Sequence, residues 1–336
     1  MPILDAIQEI AIDPARLPAA LAALPTGDPC CDPVGLHAEA GDAIQGALSQ
    51  DDAITLRQFA TGQQPWLVIR TGINLAALPE TPTGFAPLHH PAWWPLAWAT
   101  IGLMSLAGAR LVSYHSENDG AAFVNLVALP DQEAGAGVAE RSVAPMRGHT
   151  DGASLPFPSE FMAGGEEQSP APDLLVLVGL RNPSGTMTRL TSVSSVLRTL
   201  TDEQYDALQG PWFDIKAQRT FVNGRTRVGA PLLSLVEPRH GNSMRFSHSS
   251  VRVSHDAPPL AREALDAFSA ALPGLYTDVV VGAGDICLVH NRQVIHGRAA
   301  PGPGVGGHTR WLLRTYGWMS DTTGNQRPGD PAHLHL

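Results

Sequence analysis

The chain lacks the features typical of secreted, membrane-spanning and nucleic-acid-binding proteins. Among its 336 residues there are three cysteines, an odd number that makes a disulfide framework improbable. It has no apolar run of about 18 residues for a membrane span, and its acidic N-terminal stretch lacks the basic segment of a signal peptide. The formal net charge of −10 disfavours a polyanionic partner. We therefore expect a cytoplasmic protein that binds neither nucleic acid nor membrane.

The composition is that of a folded chain with a sizeable core. Hydrophobic residues make up 43% and charged residues 16%, which excludes an intrinsically disordered chain. Residues 1–60 show helical spacing. From about residue 111, short β-type runs alternate with Gly, Pro, Asn and Asp clusters, a pattern typical of a sandwich or barrel. Two helical segments, 192–210 and 259–273, interrupt these runs, and the region between them, 214–255, has no strong periodicity and is interpreted as a lid.

The stretch RGHTDGA, residues 147–153, raises the first question about function. It places His149 and Asp151 one residue apart, and both side chains bind transition metals. Such a triplet is weak evidence alone, because HAE at His37 and HSE at His115 repeat it and the chain has 13 histidines. Asp151 before a glycine also fits an ordinary turn. More distant residues must therefore decide whether a metal binds here.

Two later stretches provide that context. VIHGRAA contains His296 in a predicted strand, and HTRWLLRTYGW places Arg310 and Arg314 on one face of another strand. Two histidines and one carboxylate form the facial triad of non-haem Fe(II) oxygenases, which leaves coordination positions open. Arginine gives a permanently charged clamp for the distal carboxylate of a 2-oxo acid. The alternatives are a core histidine at His296 and a surface ladder of ion pairs at the arginines.

Further stretches follow one another in a recognisable order. They are LPETPT, SENDGAAFVNLVALP, GHTDGA, PDLLVLVGLRNPSG, LTDEQYDALQGPWF, GAGDICLVHNRQVIHGRAA and HTRWLLRTYGW. Over roughly residues 75 to 318 the chain resembles the Fe(II)/2-oxoglutarate-dependent oxygenases of the clavaminate synthase-like branch. That branch includes the asparagine and arginine β-hydroxylases. The combination of stretches is specific, although no single stretch is.

The resemblance implies a fold that is mainly β with flanking helices, namely a distorted double-stranded β-helix, or jelly roll, of the cupin-like kind. The implied organisation is a single oxygenase domain over residues 1–336. Within it, residues 1–110 would be a largely helical N-terminal part and 111–318 the jelly-roll core, with the lid at about 214–255. Residues 319–336 would be a mobile tail.

The resemblance also implies a metal site and a cosubstrate site. Arg310 matches the arginine that holds the distal carboxylate of 2-oxoglutarate. Thr188 matches a residue that assists this carboxylate, although Thr186 fits as well. The implied cofactors are Fe(II), 2-oxoglutarate as cosubstrate, and O2. The catalytic iron ligands it implies are His149, Asp151 and His296.

For the substrate, the resemblance implies an amino acid or an amino-acid-derived small molecule, free or tethered to a carrier protein. Arg314 matches a position that binds the substrate α-carboxylate, and Glu117 falls near a position that contacts its amine. Two departures stand out: Asp151 replaces the glutamate usual in the closest relatives, and the lid is basic where arginine and asparagine hydroxylases carry acids. The basic lid argues against an arginine or lysine substrate and permits a neutral, acidic or carrier-bound one.

The predicted reaction is hydroxylation of an unactivated carbon, in specialised metabolism. Desaturation or cyclisation with the same cofactors is one alternative. Another is a jelly-roll metal protein that is not an oxygenase, or a zinc hydrolase. The arginine strand favours the oxygenase, because a zinc hydrolase needs a general base and no partner for a dicarboxylate. The sequence leaves the oligomeric state open.

Overall fold

The computed structural model describes residues 6–86, 89–129, 144–237 and 241–336. Its described helices are α1 (Leu17–Ala22), α2 (His37–Ala47), α3 (Gln50–Ala60), α4 (Trp94–Leu106), α5 (Pro158–Gly164), α6 (Val193–Leu197), α7 (Asp202–Ala207) and α8 (Pro259–Ala271).

The described strands divide between a first half and a second half of the chain. The first are β1 (Glu9–Ala11), β2 (Trp66–Arg70), β3 (Arg110–Tyr114), β4 (Val124–Val127), β5 (Met146–His149), β6 (Leu174–Arg181), β7 (Met187–Ser192) and β8 (Phe213–Ile215). The others are β9 (Arg227–Ala230), β10 (Leu233–Glu237), β11 (Gly241–Met244), β12 (Val251–Val253), β13 (Thr277–Val280), β14 (Asp285–His290), β15 (Val294–Arg298), β16 (Trp311–Trp318) and β17 (Leu334–His335).

The larger sheet has eight strands in the order β1-β2-β14-β6-β16-β3-β17, with β4 also paired to β16. Its central strands β14, β6 and β16 are almost entirely buried, which explains why they appear in the sequence as near-continuous apolar runs. Helices cover one face of this sheet, and a second core fills the other face. The alternation predicted for β16 is confirmed, because Trp311 and Leu313 pack in the core beside the helices and Leu312 packs in the other.

The smaller sheet has four strands in the order β13-β7-β15-β5 and positions the candidate site. Strand β15 pairs antiparallel with β5, and His296 lies directly opposite His149. Side chains of both sheets, such as Leu190, Val294, Leu175 and Leu312, share the core between them. The outer face of the smaller sheet packs on α8, whose buried Ala261, Ala264 and Phe268 follow helical spacing.

Several details differ from the sequence predictions. The segment 214–255 carries short strands from the end of β8 through β12 instead of a structureless loop; residues 238–240 of the predicted lid lie outside the described residues. The predicted helix over 192–210 is split into α6 and α7. The tail is packed rather than free, since β17 pairs in parallel with β3 and the His335 ring lies 4.4 Å from that of Trp318.

Within the described ranges, no helix combines the length and the apolar character required to cross a membrane.

Candidate metal centre and its pocket

Three predicted ligands converge between β5 and β15. The Nε2 atom of His149 lies 3.6 Å from Asp151 Oδ1, and the Nε2 atom of His296 lies 3.6 Å from Asp151 Oδ2. The two imidazole rings are 4.2 Å apart at 55°. One candidate ligand atom from each residue lies within 4.8 Å of the others. Two imidazoles and one carboxylate at this separation form a donor set that fits one divalent transition metal.

The surroundings prepare these donors for a metal. The Nδ1 atom of His149 lies 2.9 Å from the Arg147 carbonyl oxygen, so Nδ1 carries the proton and Nε2 is left with its lone pair. Burial lowers the pKa of His296, and the nearby His149 lowers it further. Burial alone would raise the pKa of the Asp151 carboxyl, but its contacts with His149 and His296 hold that pKa well below the ordinary value. The site therefore presents an ionised carboxylate beside a His296 imidazole whose pKa is lowered.

Asp151 is held in place by two residues that were not predicted from the sequence. Asn291 accepts a hydrogen bond from the Asp151 backbone N–H at 2.8 Å and donates from Nδ2 to the Asp151 carbonyl at 2.9 Å. Gln218 donates from Nε2 to Asp151 Oδ1 at 3.0 Å and accepts from the Gly152 N–H, also at 3.0 Å. Gly152 turns the chain at φ 66°, where a side chain would be strained. No local sequence signal marks Gln218, because its partner is 67 residues away.

Arg310 and Thr188 line the same pocket as the three candidate ligands. Arg310 is 7% exposed, and burial lowers the pKa of its guanidinium to about 9, an effect to which the neighbouring charge of Arg298 adds. Thr188 lines the pocket. In the antiparallel pairing of β7 with β15, its register partner is Arg298. The hydroxyl of Thr186 instead lies 3.1 Å from that of Ser184. Of the two threonines, Thr188 is the one among the described lining residues, and Arg298, which lies two residues after His296 on β15, lines the same pocket.

Arg314 and Glu117 form a buried ion pair. The Arg314 NH2 nitrogen lies 2.7 Å from Glu117 Oε1, and the side chains are 8% and 3% exposed. Burial raises the pKa of the Glu117 carboxyl, and Arg314 opposes that rise. Arg314 lines the main pocket together with the histidines. Glu117 is not among the described residues that line this pocket, and it lines a smaller cavity that shares Arg314 with it.

The pocket lies between the two sheets and has a volume of about 470 Å³, within the usual range for small-molecule sites. From the predicted lid, only the stretches 216–220 and 247–250 appear among its described lining residues. The first stretch is anchored beyond the pocket, where the Val222 N–H donates to the Ser116 carbonyl at 2.6 Å and the ring of Phe221 lies 5.7 Å from that of Tyr114.

Three arginines of the predicted lid, Arg219, Arg225 and Arg227, have different surroundings. Arg225 pairs with the exposed Glu167 at 2.7 Å, and Arg227 pairs with Glu166 at 3.2 Å. Arg219 lines the pocket. Only Arg219 of the three is therefore placed to meet a ligand. The similar triplet at His115 does not contribute to the metal cluster, because the His115 ring contacts Asp330 of the tail at 2.6 Å.

Comparison with known proteins identifies relatives of this chain. The sequence model of the family described as "Taurine catabolism dioxygenase TauD, TfdA family" matches residues 116–316. An L-lysine 3-hydroxylase from Catenulispora acidiphila is 24% identical over 271 residues, which cover 78% of this chain and 70% of that protein. An L-asparagine oxygenase from Streptomyces coelicolor is 30% identical over 148 residues, 43% of each chain.

A solved structure shows a similar fold. The crystal structure of the non-heme iron oxygenase OrfP in complex with Fe and alpha-ketoglutaric acid is 22% identical and superposes with a TM-score of 0.73, covering 93% of this chain and 94% of that chain.

Proposed function

Because the chain belongs to the TauD, TfdA dioxygenase family, we propose that it is an Fe(II)/2-oxoglutarate-dependent dioxygenase that hydroxylates an unactivated carbon of an amino acid or amino-acid-derived small molecule. The family match confirms the resemblance predicted from the sequence. One observation carries the proposal: the His149, Asp151 and His296 cluster shares one pocket with the buried Arg310. The amino-acid hydroxylases among its relatives support the substrate class.

The triad would hold the iron and leave an open side for cosubstrate and O2. When bound, Fe(II) with 2-oxoglutarate and O2 supplies the oxidising chemistry, in which one oxygen atom enters a C–H bond and the other enters succinate as CO2 leaves. The role of the protein is to fix positions. Asn291 and Gln218 hold the Asp151 loop and carboxylate, and the His149 contact to the Arg147 carbonyl sets its tautomer.

The distal carboxylate of 2-oxoglutarate would lie against Arg310, with Thr188 as a hydroxyl donor and Arg298 as a second cation nearby. This assignment is supported by burial, since Arg310 and Arg298 are 7% and 5% exposed. Burial disfavours the charged form of Arg310 and the charge of Arg298 adds to that cost, which an anion beside Arg310 would offset. A dicarboxylate supplies that anion and reverses the unfavourable electrostatics.

The substrate would be held as a zwitterion by Arg314 and Glu117. The guanidinium would accept the α-carboxylate as a bidentate partner, and the Glu117 carboxylate would accept hydrogen bonds from the α-ammonium. The stretch 216–222 would act as the lid and exclude water. A carrier-tethered substrate lacks a free α-carboxylate and would leave Arg314 with Glu117 alone, so the ion pair favours a free amino acid.

We extend the proposal to the whole chain. The eight- and four-stranded sheets would be the two halves of a distorted double-stranded β-helix, or jelly roll, within a single oxygenase domain over residues 1–336. A reducing, cytoplasmic setting stays a prediction from the three cysteines. Desaturation or cyclisation would use the same residues.

A zinc hydrolase is the other reading of the same triad, and the pocket lining argues against it. Such an enzyme needs a general base beside the metal-bound water. Among the described lining residues, the one carboxylate is Asp151, which is itself a candidate ligand, so His248 would have to serve as that base. The buried arginines, by contrast, have no evident purpose in a hydrolase.

The test is a turnover assay with free amino acids. The protein is incubated with Fe(II), ascorbate, 2-oxoglutarate and each amino acid in air, and products are followed by mass spectrometry. We expect one amino acid to gain a single oxygen atom with stoichiometric succinate, and His296→Ala to abolish both. Metal-dependent hydrolysis without succinate formation would instead support the zinc reading.

A further inference from the structure

The mouth of the pocket carries a concentration of positive charge that the proposed chemistry does not use. Arg147, Lys216 and Arg219 line the pocket and are exposed, and His248 lines it beside them. Lys216 is the single lysine of a chain whose formal net charge is −10. Among the described lining residues, the one carboxylate is Asp151. The local charge at the mouth is therefore opposite to that of the molecule as a whole.

Backbone hydrogen bonds bring three of these residues to one side of the mouth. Arg147 lies two residues before His149 on β5, and both residues line the pocket. The His248 N–H donates to the Gly148 carbonyl at 3.2 Å, which places His248 beside Arg147. The Lys216 N–H donates to the Ser250 carbonyl at 3.0 Å and ties Lys216 to the same loop. The positive charge of Arg147 contributes to lowering the pKa of His248, after the larger effect of burial.

The order of contacts along the stretch 216–221 relates this cluster to the substrate anchor. Lys216 lies at one end of the stretch. Gln218 bonds Asp151 at its middle, and Phe221 forms a backbone bridge with Glu117 at its other end. Arg314 lines the same pocket as the metal cluster and Lys216, so an amino acid held by its α-carboxylate at Arg314 would lie beside the metal centre and direct its side chain toward Lys216.

We propose that the mouth of the pocket is a subsite for an anionic side-chain group, and that the substrate is a free amino acid with an acidic side chain. The inference rests on the proposed function, since it needs the α-amino-acid anchor at Arg314 and Glu117. Lys216 and Arg147 supply the charge, and the hydroxyls of Ser249 and Ser250 line the same wall. A cationic side chain such as that of lysine or arginine is repelled by the same residues.

The test measures binding to the protein loaded anaerobically with Fe(II) and saturating 2-oxoglutarate. Isothermal titration compares two isosteric pairs, L-glutamate with L-glutamine and L-aspartate with L-asparagine, and adds L-lysine as a cationic probe. Of L-glutamate and L-aspartate, we expect the one with the higher affinity to bind about tenfold more tightly than its own amide. L-Lysine should bind least tightly of the five. The acid preference falls as salt rises, because both cations are exposed to solvent.

Matched variants test whether Lys216 and Arg147 supply the positive charge that binds the acidic side chain. Lys216→Gln and Arg147→Gln are each expected to weaken acid binding by about two- to fivefold, the range for a solvent-exposed ion pair, while amide binding stays the same. Arg225→Gln removes an equal charge from the same segment outside the pocket and serves as the control. Equal loss of acid and amide binding in Lys216→Gln would overturn the inference.

The two proposals fail in different ways. The visible band of 2-oxoglutarate on iron forms before any amino acid is added, so its absence contradicts the proposed function itself. A normal band with equal affinity for acids and amides overturns only the acidic subsite. A normal band with no binding of any free amino acid also overturns it, and points to a carrier-tethered substrate.

Discussion

At the scale of single residues, the most informative contact is the one between Gln218 and Asp151. The Gln218 amide bonds Asp151 Oδ1 and the next backbone N–H, so Oδ2, which lies 3.6 Å from His296 Nε2, stays available to a metal. Hydrogen-bond partners of ligating carboxylates orient them and tune metal affinity. Gln218 also belongs to the stretch over the pocket, and it therefore links the position of that stretch to the geometry of the metal ligand.

Gln218→Ala is expected to weaken Fe(II) binding by on the order of 10-fold or more, because Asp151 loses its orienting donor. Fluorescence or calorimetric titration with Fe(II) or Mn(II) under anaerobic conditions measures the change. Val222→Ala, which alters a 64% exposed side chain of the same segment, is the control. Unchanged metal affinity in Gln218→Ala would show that the contact does not position the ligand.

The two nearby threonines offer a matched pair. Thr188 lines the pocket beside Arg298, whereas the Thr186 hydroxyl contacts Ser184. Thr188→Val is expected to raise the KM for 2-oxoglutarate by about 3- to 10-fold, the loss of one hydrogen bond of ordinary strength, and Thr186→Val to leave it unchanged. Steady-state kinetics at saturating amino acid separates them. A raised KM in Thr186→Val with an unchanged KM in Thr188→Val would exchange the two assignments.

At the scale of secondary structure, the C-terminal strand is the element that sequence patterns described least well. Strand β17 extends the larger sheet beside β3, and the His335 ring packs on Trp318 at 4.4 Å. Proline, glycine and polar residues dominate this tail, so its sequence has no hydrophobic alternation that would predict a strand. Its order comes from long-range contacts, such as the Arg110 NH2 donation to the Thr322 carbonyl at 2.5 Å.

A pH dependence follows from His335. Burial lowers the pKa of this imidazole from 6.5 to about 4, with a further contribution from Arg110. A depressed folded-state pKa means that the unfolded chain takes up the proton first, so stability is complete above pH 6.5 and is lost as the pH falls toward 4. Thermal unfolding followed between these limits should show a smaller acid loss in His335→Phe than in the natural chain. Parallel curves would contradict a neutral, buried His335.

At the scale of the whole molecule, apolar runs predicted the central strands and long-range pairing determined the rest. Strands β3, β6, β14 and β16 follow the runs seen in the sequence because they are buried in the core. Strands β9 to β11 are short and partly exposed. The sequence patterns did not predict them. The metal cluster of His149, Asp151 and His296 was predictable from the sequence. Gln218 and Arg298 were not, because only the folded structure brings them to Asp151 and to the pocket.

Metal binding should stabilise the entire fold, because its ligands lie on β5, the following turn and β15. A ligand at a hundredfold excess over its dissociation constant adds about 3 kcal/mol to the free energy of unfolding, which corresponds to a rise of several degrees in Tm. Anaerobic scanning calorimetry with and without Fe(II) plus 2-oxoglutarate measures it. His149→Ala should abolish the rise, and the control His255→Ala, at a fully exposed side chain, should keep it.

The central claim is that the His149, Asp151 and His296 cluster binds iron together with 2-oxoglutarate held by Arg310. The most direct measurement is the anaerobic visible spectrum of the Fe(II)-loaded protein as 2-oxoglutarate is added. A weak charge-transfer band should appear, disappear in His149→Ala, and require a higher concentration of 2-oxoglutarate in Arg310→Leu. A folded, iron-loaded protein that gives no band, or an unchanged band in His149→Ala, would contradict the account.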